Sequence, residues 1–573
     1  MKRFIALLMC LAMLVLTLAS CGDETVSKPE AERPNLTLRM AIVVDDKTTA
    51  EGVEAMQKVF NEKCEVSLNT RIDFEFFKAS EYKEKMTALM EEVEHAKLNG
   101  DTALEDAKAE AGAGGTVVED DEYKYPAPTK GQFDILLIAD AEMYEQFIEE
   151  GWIVPLNTHF KENFKPLNTK IHVTAKQASA YDGNYYGVPA NTAYGSYTYL
   201  MVNKEAADLC SVDPTTIHSF SDAYALLSQM QIAQGEYNLN AWAAKYGDDF
   251  AVIRNTAETF INPNVKYLSQ DFTSVSLIGS AYGYNATVAG LGQAKNLLRT
   301  EDYTRYLEMR FVAEKNNYYG NGNESNFLFS LVEGDYGMRN SDADYYFCPI
   351  TLPVLAKDDI FGGMLAVSTY SVDEKRSLEI VQEFMTNATR NDLLNIVLYG
   401  DPQTNYGLED GCVNFRNMSN YGIHQDYLFG NLREYALPCA DFGQNASFYE
   451  DAWLQIREMD VRTPLFDETF ADYFSYTKLN DEGEEVVVNR VDAEKWAYVD
   501  ALSQEKYEAL MASADLETFR NNVTLFSDEL MADPTFYELL DPSVRNDTMT
   551  KGTLGAAFFY YTYNRSNNMT LMK

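Results

Sequence analysis

Three side-chain chemistries are open to this chain: imidazole, carboxylate and thiol. The five histidines (His95, His159, His172, His218 and His424) are scattered and form no i, i+4 pair, so no helical zinc site is written. Neither G-x-S-x-G nor G-x-x-x-x-G-K-[ST] occurs. Carboxylates are abundant: 88 acidic residues against 47 basic ones give a net charge of −41. Such numbers leave room for two acids at the ~5–9 Å separations of glycoside hydrolysis, but no local motif singles out a pair. Ser341-Asp342-Ala343-Asp344 lacks the glycine and distal glutamate of a calcium loop. No catalytic residue, metal ligand or cofactor is therefore expected. The acid excess repels phosphate backbones and excludes nucleic acid as a partner.

The thiol with a defined chemistry is Cys21. Lys2 and Arg3 precede an apolar run over residues 4–18, too short for the ~20 residues of a spanning helix but suited to a secretory signal. The run ends in Leu18-Ala19-Ser20-Cys21-Gly22, which reads as a bacterial lipobox. Small residues admit the lipoprotein signal peptidase, and the Cys21 thiol takes the lipid. Residues 22–35 are polar, without apolar period, and read as a tether. Cys64, Cys210, Cys348, Cys412 and Cys439 are then left, an odd number without C-x-x-C spacing. Most read as small buried residues, and one disulfide among them stays open.

Any site must be positioned by the elements that follow. With 573 residues, and roughly 150 per domain, three or four domains or fewer large ones are expected. Residues 36–44 read as a strand, 50–62 as a helix with a Val53/Met56/Phe60 face, and 71–77 as an alternating strand. A helix starts at Ser80. Residues 101–131 read as an acidic, Gly/Ala-rich surface insertion, 133–138 as a strand buried on both faces, and 141–150 as a helix. This β-α-β-α-β-α order predicts an α/β doubly wound domain, with ligands beyond the carboxyl ends of the strands. Asp45, Asp46, Asp140 and Glu142 fall at that edge. Residues 480–483 read as a hairpin tip before a strand at 486–491, residues 493–538 as helical, and 555–564 as an aromatic strand or buried segment.

Several segments carry a resemblance in order: QFDILLIADAEMYEQFIEEGWIVPLN at 132–157, YDGNYYGVPANTAYGSYTYLMVNK at 181–204, HSFSDAYALLSQM at 218–230, GDYGMRN at 334–340, FGGMLAVSTYS at 361–371 and LYGDPQTNYGLEDG at 398–411. Together they resemble the extracellular solute-binding proteins of family 1, which serve ATP-driven importers and typically bind sugars. The resemblance covers about residues 36–420; the insertion at 101–131 is not typical, and 235–330 holds no landmark.

The resemblance implies a two-lobe type II periplasmic-binding-protein fold with hinge crossings near 190–200, 361–369 and 415–425 and a helical C-terminal extension. Lobe 1 would comprise 36–195 and 366–420, and lobe 2 196–365 and 421–573. A ligand in the cleft would close the lobes and be handed to a membrane permease, with no covalent chemistry. Sugars need rings to stack on and fixed hydrogen-bonding groups, so the candidates are Asp45, Asp140, Asn191, Thr192, Tyr194, Trp242, Tyr282, Tyr284, Met364 and Tyr406. Each has a plainer role open to it: helix cap for the aspartates, core packing for the rings and Met364. The implied protein is lipid-anchored on the outer face of a bacterial cell membrane. Alternatives are a ligand-presenting sensor, a peptide binder on the same fold, and a lipoprotein glycosidase.

Overall fold

The structure, a computed structural model, describes residues 34–98, 102–113, 125–229, 244–255, 265–267, 276–281, 294–353, 358–416, 418–458, 475–480, 485–489 and 493–540. Trp242, Tyr282, Tyr284, Cys21, the tether up to residue 33 and the aromatic segment at 555–564 lie outside these residues.

The chain opens as expected: β1 (Leu36–Val44), α1 (Ala50–Leu68), β2 (Thr70–Lys78), α2 (Tyr82–Leu98), α3 (Ala103–Ala113), β3 (Ile135–Ile138), α4 (Ala141–Glu149) and β4 (Gly187–Val188). Thr49 caps α1 by accepting the Gly52 N–H, and Asn69 ends it in the left-handed region. The helix outruns the expected 50–62 because Cys64 and Leu68 continue its buried stripe. The insertion is partly helical, and Leu104 of α3 reaches the core. The Asp182-Gly183 hairpin forms, with both residues at positive φ.

A second unit follows: β5 (Tyr197–Asn203), α5 (Phe220–Gln229), β6 (Phe250–Arg254), the small antiparallel sheet β7 (Val265–Tyr267), β8 (Ile278–Ala281) and β9 (Lys295–Asn296), then α6 (Glu301–Lys315), β10 (Asn326–Gly334) and β11 (Tyr345–Pro349). The chain returns with β12 (Met364–Val367), α7 (Glu374–Thr386), α8 (Leu393–Tyr399) and the hairpin β13 (Tyr406–Glu409) and β14 (Cys412–Phe415). It ends with α9 (Phe448–Glu458), the hairpin β15 (Ser475–Leu479) and β16 (Glu485–Asn489), α10 (Ala493–Met511), α11 (Leu516–Ala532) and α12 (Pro534–Leu539).

The first sheet runs β2-β1-β3-β12-β4. β2 and β3 pair parallel to β1, and β12 pairs antiparallel to β3 and β4. The ends of β1, β2, β3 and β4 therefore share one edge with the start of β12. Asp134 lies fully buried beneath this sheet, accepting from Arg39 N, Gln132 Nε2, Ser371 Oγ and Val372 N at 2.7–2.8 Å. The second sheet runs β11-β5-β10-β6, with β5 antiparallel to β10 and β11. Leu200, Val202, Leu328 and Phe329 face a core closed by α5, α6 and α10–α12, whereas Met201, Phe327 and Tyr345 cluster on the opposite face.

The two large cores share no residue, so the α/β chain folds as two lobes. The expected return to lobe 2 at residue 421 needs correction. Tyr421, Ile423, Phe429, Leu432, Ala436 and Cys439 pack in the first core, as do Ile360 and Phe361. The first core thus runs on to Cys439 and Phe442, past the crossing expected at 415–425. The described cysteines carry free thiols. Among the described residues no helix is long and apolar enough to cross a membrane.

Candidate functional site

The edge shared by the strand ends of lobe 1 gathers the candidates that follow strands. Asp45, one residue past β1, accepts from Lys47 N and Thr48 Oγ1, both at 3.1 Å, and pairs with Lys47 Nζ at 3.3 Å. Lys47 in turn lies 3.7 Å from the centre of the Phe415 ring. Lys78 Nζ, at the end of β2, donates to the carbonyls of Asp45 and Thr48 and so fixes this loop. Asp140 caps α4 by accepting the Met143 N–H at 2.7 Å, while its other oxygen takes Lys83 Nζ at 2.9 Å. The plainer role and an open role thus coexist in one carboxylate. Lys83 also reaches Glu142 at 2.5 Å. Burial pulls the Lys83 ammonium down, but the two carboxylates outweigh it and raise its pKa. An open depression of about 550 Å³ runs along α2 here, lined by Ala79, Ser80, Lys83, Glu84, Thr87 and Glu91. Tyr427 borders the same edge, its ring edge-on to buried Tyr82 at 5.7 Å, with burial raising its pKa.

Other candidates are spent on structure. Asn191 is buried, donating Nδ2 to Asn431 Oδ1 at 2.8 Å while its carbonyl accepts from Arg433 N. It pins the first passage, residues 189–196, to lobe 1. Met364 is fully buried over Gly187, and Tyr406 packs on Tyr399 at 5.9 Å. In this structure the Asn191 side chain is held by Asn431, and those of Met364 and Tyr406 by packing. Thr192 is half-buried beside the passage. Tyr194 is buried, and its hydroxyl has no partner among the described residues; burial drives its pKa far up.

Lobe 2 carries a second cluster, at the end of its sheet where β5 begins. Gly334, ending β10, pairs with Tyr197, which starts β5, so the turn at Tyr336–Asn340 lies at the end of the sheet that meets the hinge. Arg339 stacks over Tyr336 at 4.0 Å and Tyr197 at 5.0 Å and pairs with Glu458 at 2.7 Å. Tyr197 OH donates to the same Glu458 oxygen. GDYGMRN marks this turn in the sequence, yet nothing in its spacing singles out Tyr336 or Arg339. Lys83, Phe415 and Tyr427 went unseen for a related reason: they enter the edge from a helix and from loops of the returning chain. The two clusters pair charges and stack rings, and among the described residues no group of three His, Cys, Asp or Glu could hold a metal.

No protein-family model matches the chain, and no curated protein matches it. Solved structures do. The N-glycan transport solute binding protein of Streptococcus pneumoniae is 13% identical with a TM-score of 0.45, covering 94% of this chain and 99% of its own. An HMO binding, ABC-transporter-associated solute binding protein of Bifidobacterium longum infantis is 10% identical at a TM-score of 0.40, covering 93% and 99%. The structures similar to this chain also include an extracellular solute-binding protein family 1 member of Alicyclobacillus acidocaldarius, 12% identical at a TM-score of 0.38, covering 87% and 99%.

Proposed function

We propose that this chain is a lipid-anchored solute-binding protein that captures a carbohydrate between its lobes and delivers it to an ATP-driven importer. One observation carries the reading. The strand ends of lobe 1 lie where the first core gives way to the second at 189–196, and the turn at Tyr336–Asn340 lies at the end of the second sheet that joins the same stretch. A ligand that touches both clusters only when they approach shifts the population toward closure. Asp45, Asp140, Lys83 and Arg339 suit hydroxyl groups, and Tyr427 and Tyr336 suit the C–H faces of a sugar ring. Thr192 and Tyr194 belong to the same proposal through their place on the first passage. Cys21 would hold the mature chain to the outer face of the membrane through its tether. The chemistry is reversible binding, and the ligand leaves unaltered.

Melting of residues 22–573 against maltotetraose, cellotetraose, mannotetraose, chitotetraose, single amino acids and tripeptides tests this. At 100 times Kd a ligand stabilises by about 2.7 kcal/mol. A sugar should raise the melting point and be recovered intact. Shifts with peptides alone, or cleavage of the sugar, would overturn the reading.

A further inference from the structure

We propose that the lobe 1 end of the first passage holds one small monovalent inorganic anion of the chloride class, bound by Arg433 Nε and Tyr194 Oη with His172 Nδ1 beside them. The inference goes beyond solute capture and is independent of which solute is bound.

The site begins with polar atoms that the fold buries and leaves unpaired. Tyr194 is 2% exposed, and its hydroxyl meets no partner among the described residues. The same holds for Arg433 Nε and His172 Nδ1. Each carries a desolvation cost that a hydrogen bond would lift. The three come from separate parts of the chain, and other contacts gather them. Asn191 N donates to the Gly430 carbonyl at 2.8 Å, and Arg433 N donates to the Asn191 carbonyl at 3.1 Å. The strand of chain leading to Tyr194 therefore lies along the one that carries Arg433. From the other side, Lys170 Nζ donates to Glu434 and sits 5.4 Å from the centre of the Tyr435 ring, which brings His172 to the same segment. Burial raises the Tyr194 pKa and lowers that of His172, and the Arg433 guanidinium is near enough for its charge to act on both.

The chemistry of the three atoms selects an acceptor. A guanidinium Nε–H only donates, a tyrosine hydroxyl kept protonated by burial donates, and a neutral imidazole donates when Nδ1 carries its proton. Charge selects an anion. Glu434 accepts from Arg433 Nη2 at 3.2 Å, but its other oxygen takes Lys170, so two cations share one carboxylate. Asp359 also acts on Tyr194, but it lies exposed. A cation is refused here, and one negative charge brings the group to balance. The donor atoms are sealed from solvent, so the guest is small; the Arg433 side chain, 18% exposed, forms the outer wall. With the anion bound the Arg433 charge is balanced, and burial alone keeps His172 neutral. The ion would tie residues 172, 194 and 433 together at the lobe 1 end of the passage. At the other end Gln455 Nε2 holds the Tyr194 and Gly195 carbonyls at 2.9 and 2.7 Å.

The test melts residues 22–573 in sodium chloride and in sodium gluconate at one ionic strength, so that screening is equal in both. Chloride, bromide and nitrate should raise the melting point over gluconate by about 1–3 °C and saturably, as a ligand of the folded state does. Arg433→Gln and Tyr194→Phe should each lose most of that difference. In gluconate Tyr194→Phe should melt at or above wild type, because it removes an unpaired hydroxyl. Crystals soaked in bromide should show bromine anomalous density at hydrogen-bonding distance from Arg433 Nε and Tyr194 Oη. Equal melting in chloride and gluconate, with no bromine at the site, would mean that the three atoms hold water, and the proposal would be overturned. A full chloride effect in Arg433→Gln would overturn it too, by placing the anion elsewhere. Bromine at the site without saturable stabilisation would be an adventitious ion only and would also overturn it. The wild-type melts and the bromine map decide the question even where a variant fails to fold.

Discussion

The two clusters, one on each lobe, are built from different chemistry. On lobe 1 lysines pair with carboxylates, Lys47 with Asp45 and Lys83 with Asp140 and Glu142, beside the Phe415 and Tyr427 rings. On lobe 2 a single arginine is stacked among tyrosines and tied to Glu458. The contrast shows that a net charge of −41 says little about the site. Its local charges are paired, and what distinguishes the clusters is lysine–carboxylate pairs on one side and one arginine among rings on the other. The supports differ too. Lobe 1 holds its rim by strand ends above a buried polar knot, and lobe 2 holds its rim by a helix strapped to the hinge.

The largest break in this comparison should come from the knot. Asp134→Ala removes the acceptor of four hydrogen bonds; Gln132 Nε2 keeps the Thr37 carbonyl and Ser371 Oγ keeps Ser377 Oγ, but the Arg39 and Val372 N–H groups lose theirs, and at about 1–3 kcal/mol for each unsatisfied group lobe 1 should lose about 2–6 kcal/mol. Hydrogen exchange checks it: amides of β1 and β3 should lose protection while β5 and β10 keep theirs. Equal loss in both sheets would mean that the lobes unfold as one. Gln455→Leu should cost about 2–3 kcal/mol by orphaning the Tyr194 and Gly195 carbonyls and the Tyr336 N–H. Its mark is reversed, with exchange rising around residues 194–199 and 335–340 and β1 unchanged.

Lys83→Met sharpens the comparison more gently. The ammonium is over a third exposed, so stability should change by less than about 1 kcal/mol. Affinity for the bound tetrasaccharide should fall about fivefold, roughly 1 kcal/mol, if this rim recognises hydroxyls. Unchanged affinity would remove Lys83 from the site.

The same contrast decides what could be read from the sequence. Ile135–Ile138, buried on all sides, and the Val53/Met56/Phe60 stripe announce lobe 1 because strand and helix periods are physical consequences of burial on one or two faces. Asp45 and Asp140 reach the edge because they follow strands. The segment 421–439 misled because its apolar residues obey no period. Tyr421, Ile423, Phe429 and Leu432 enter the first core from an irregular chain, and at Gly363 a side chain would meet the Leu428 carbonyl at 2.0 Å. Closeness of that kind has no local signature. The partners of Asn191, Met364 and Tyr406, namely Asn431, Gly187 and Tyr399, are set by topology and have no local signature either.

The smallest effect expected is a pH dependence at the first passage. His172 is held below its ordinary value of 6.5, first by burial and then by the Arg433 charge, and its buried Nδ1 has no partner among the described residues. Below pH 6.5 the unfolded chain takes up a proton that the folded chain refuses, so the unfolded state binds more protons and stability falls with falling pH. Above 6.5 both states are neutral at this ring and the contribution is flat. Thermal melts of wild type and His172→Gln should therefore run parallel from pH 8 to 7. Between pH 6.5 and 5 the wild type should lose more, because glutamine has no proton to refuse. Arg433→Gln should shrink the difference without abolishing it, since burial is the larger cause. Parallel melts down to pH 5 would mean that water reaches the ring in the folded state, and the passage would then be looser than its hydrogen bonds to Gly430 and Arg433 imply.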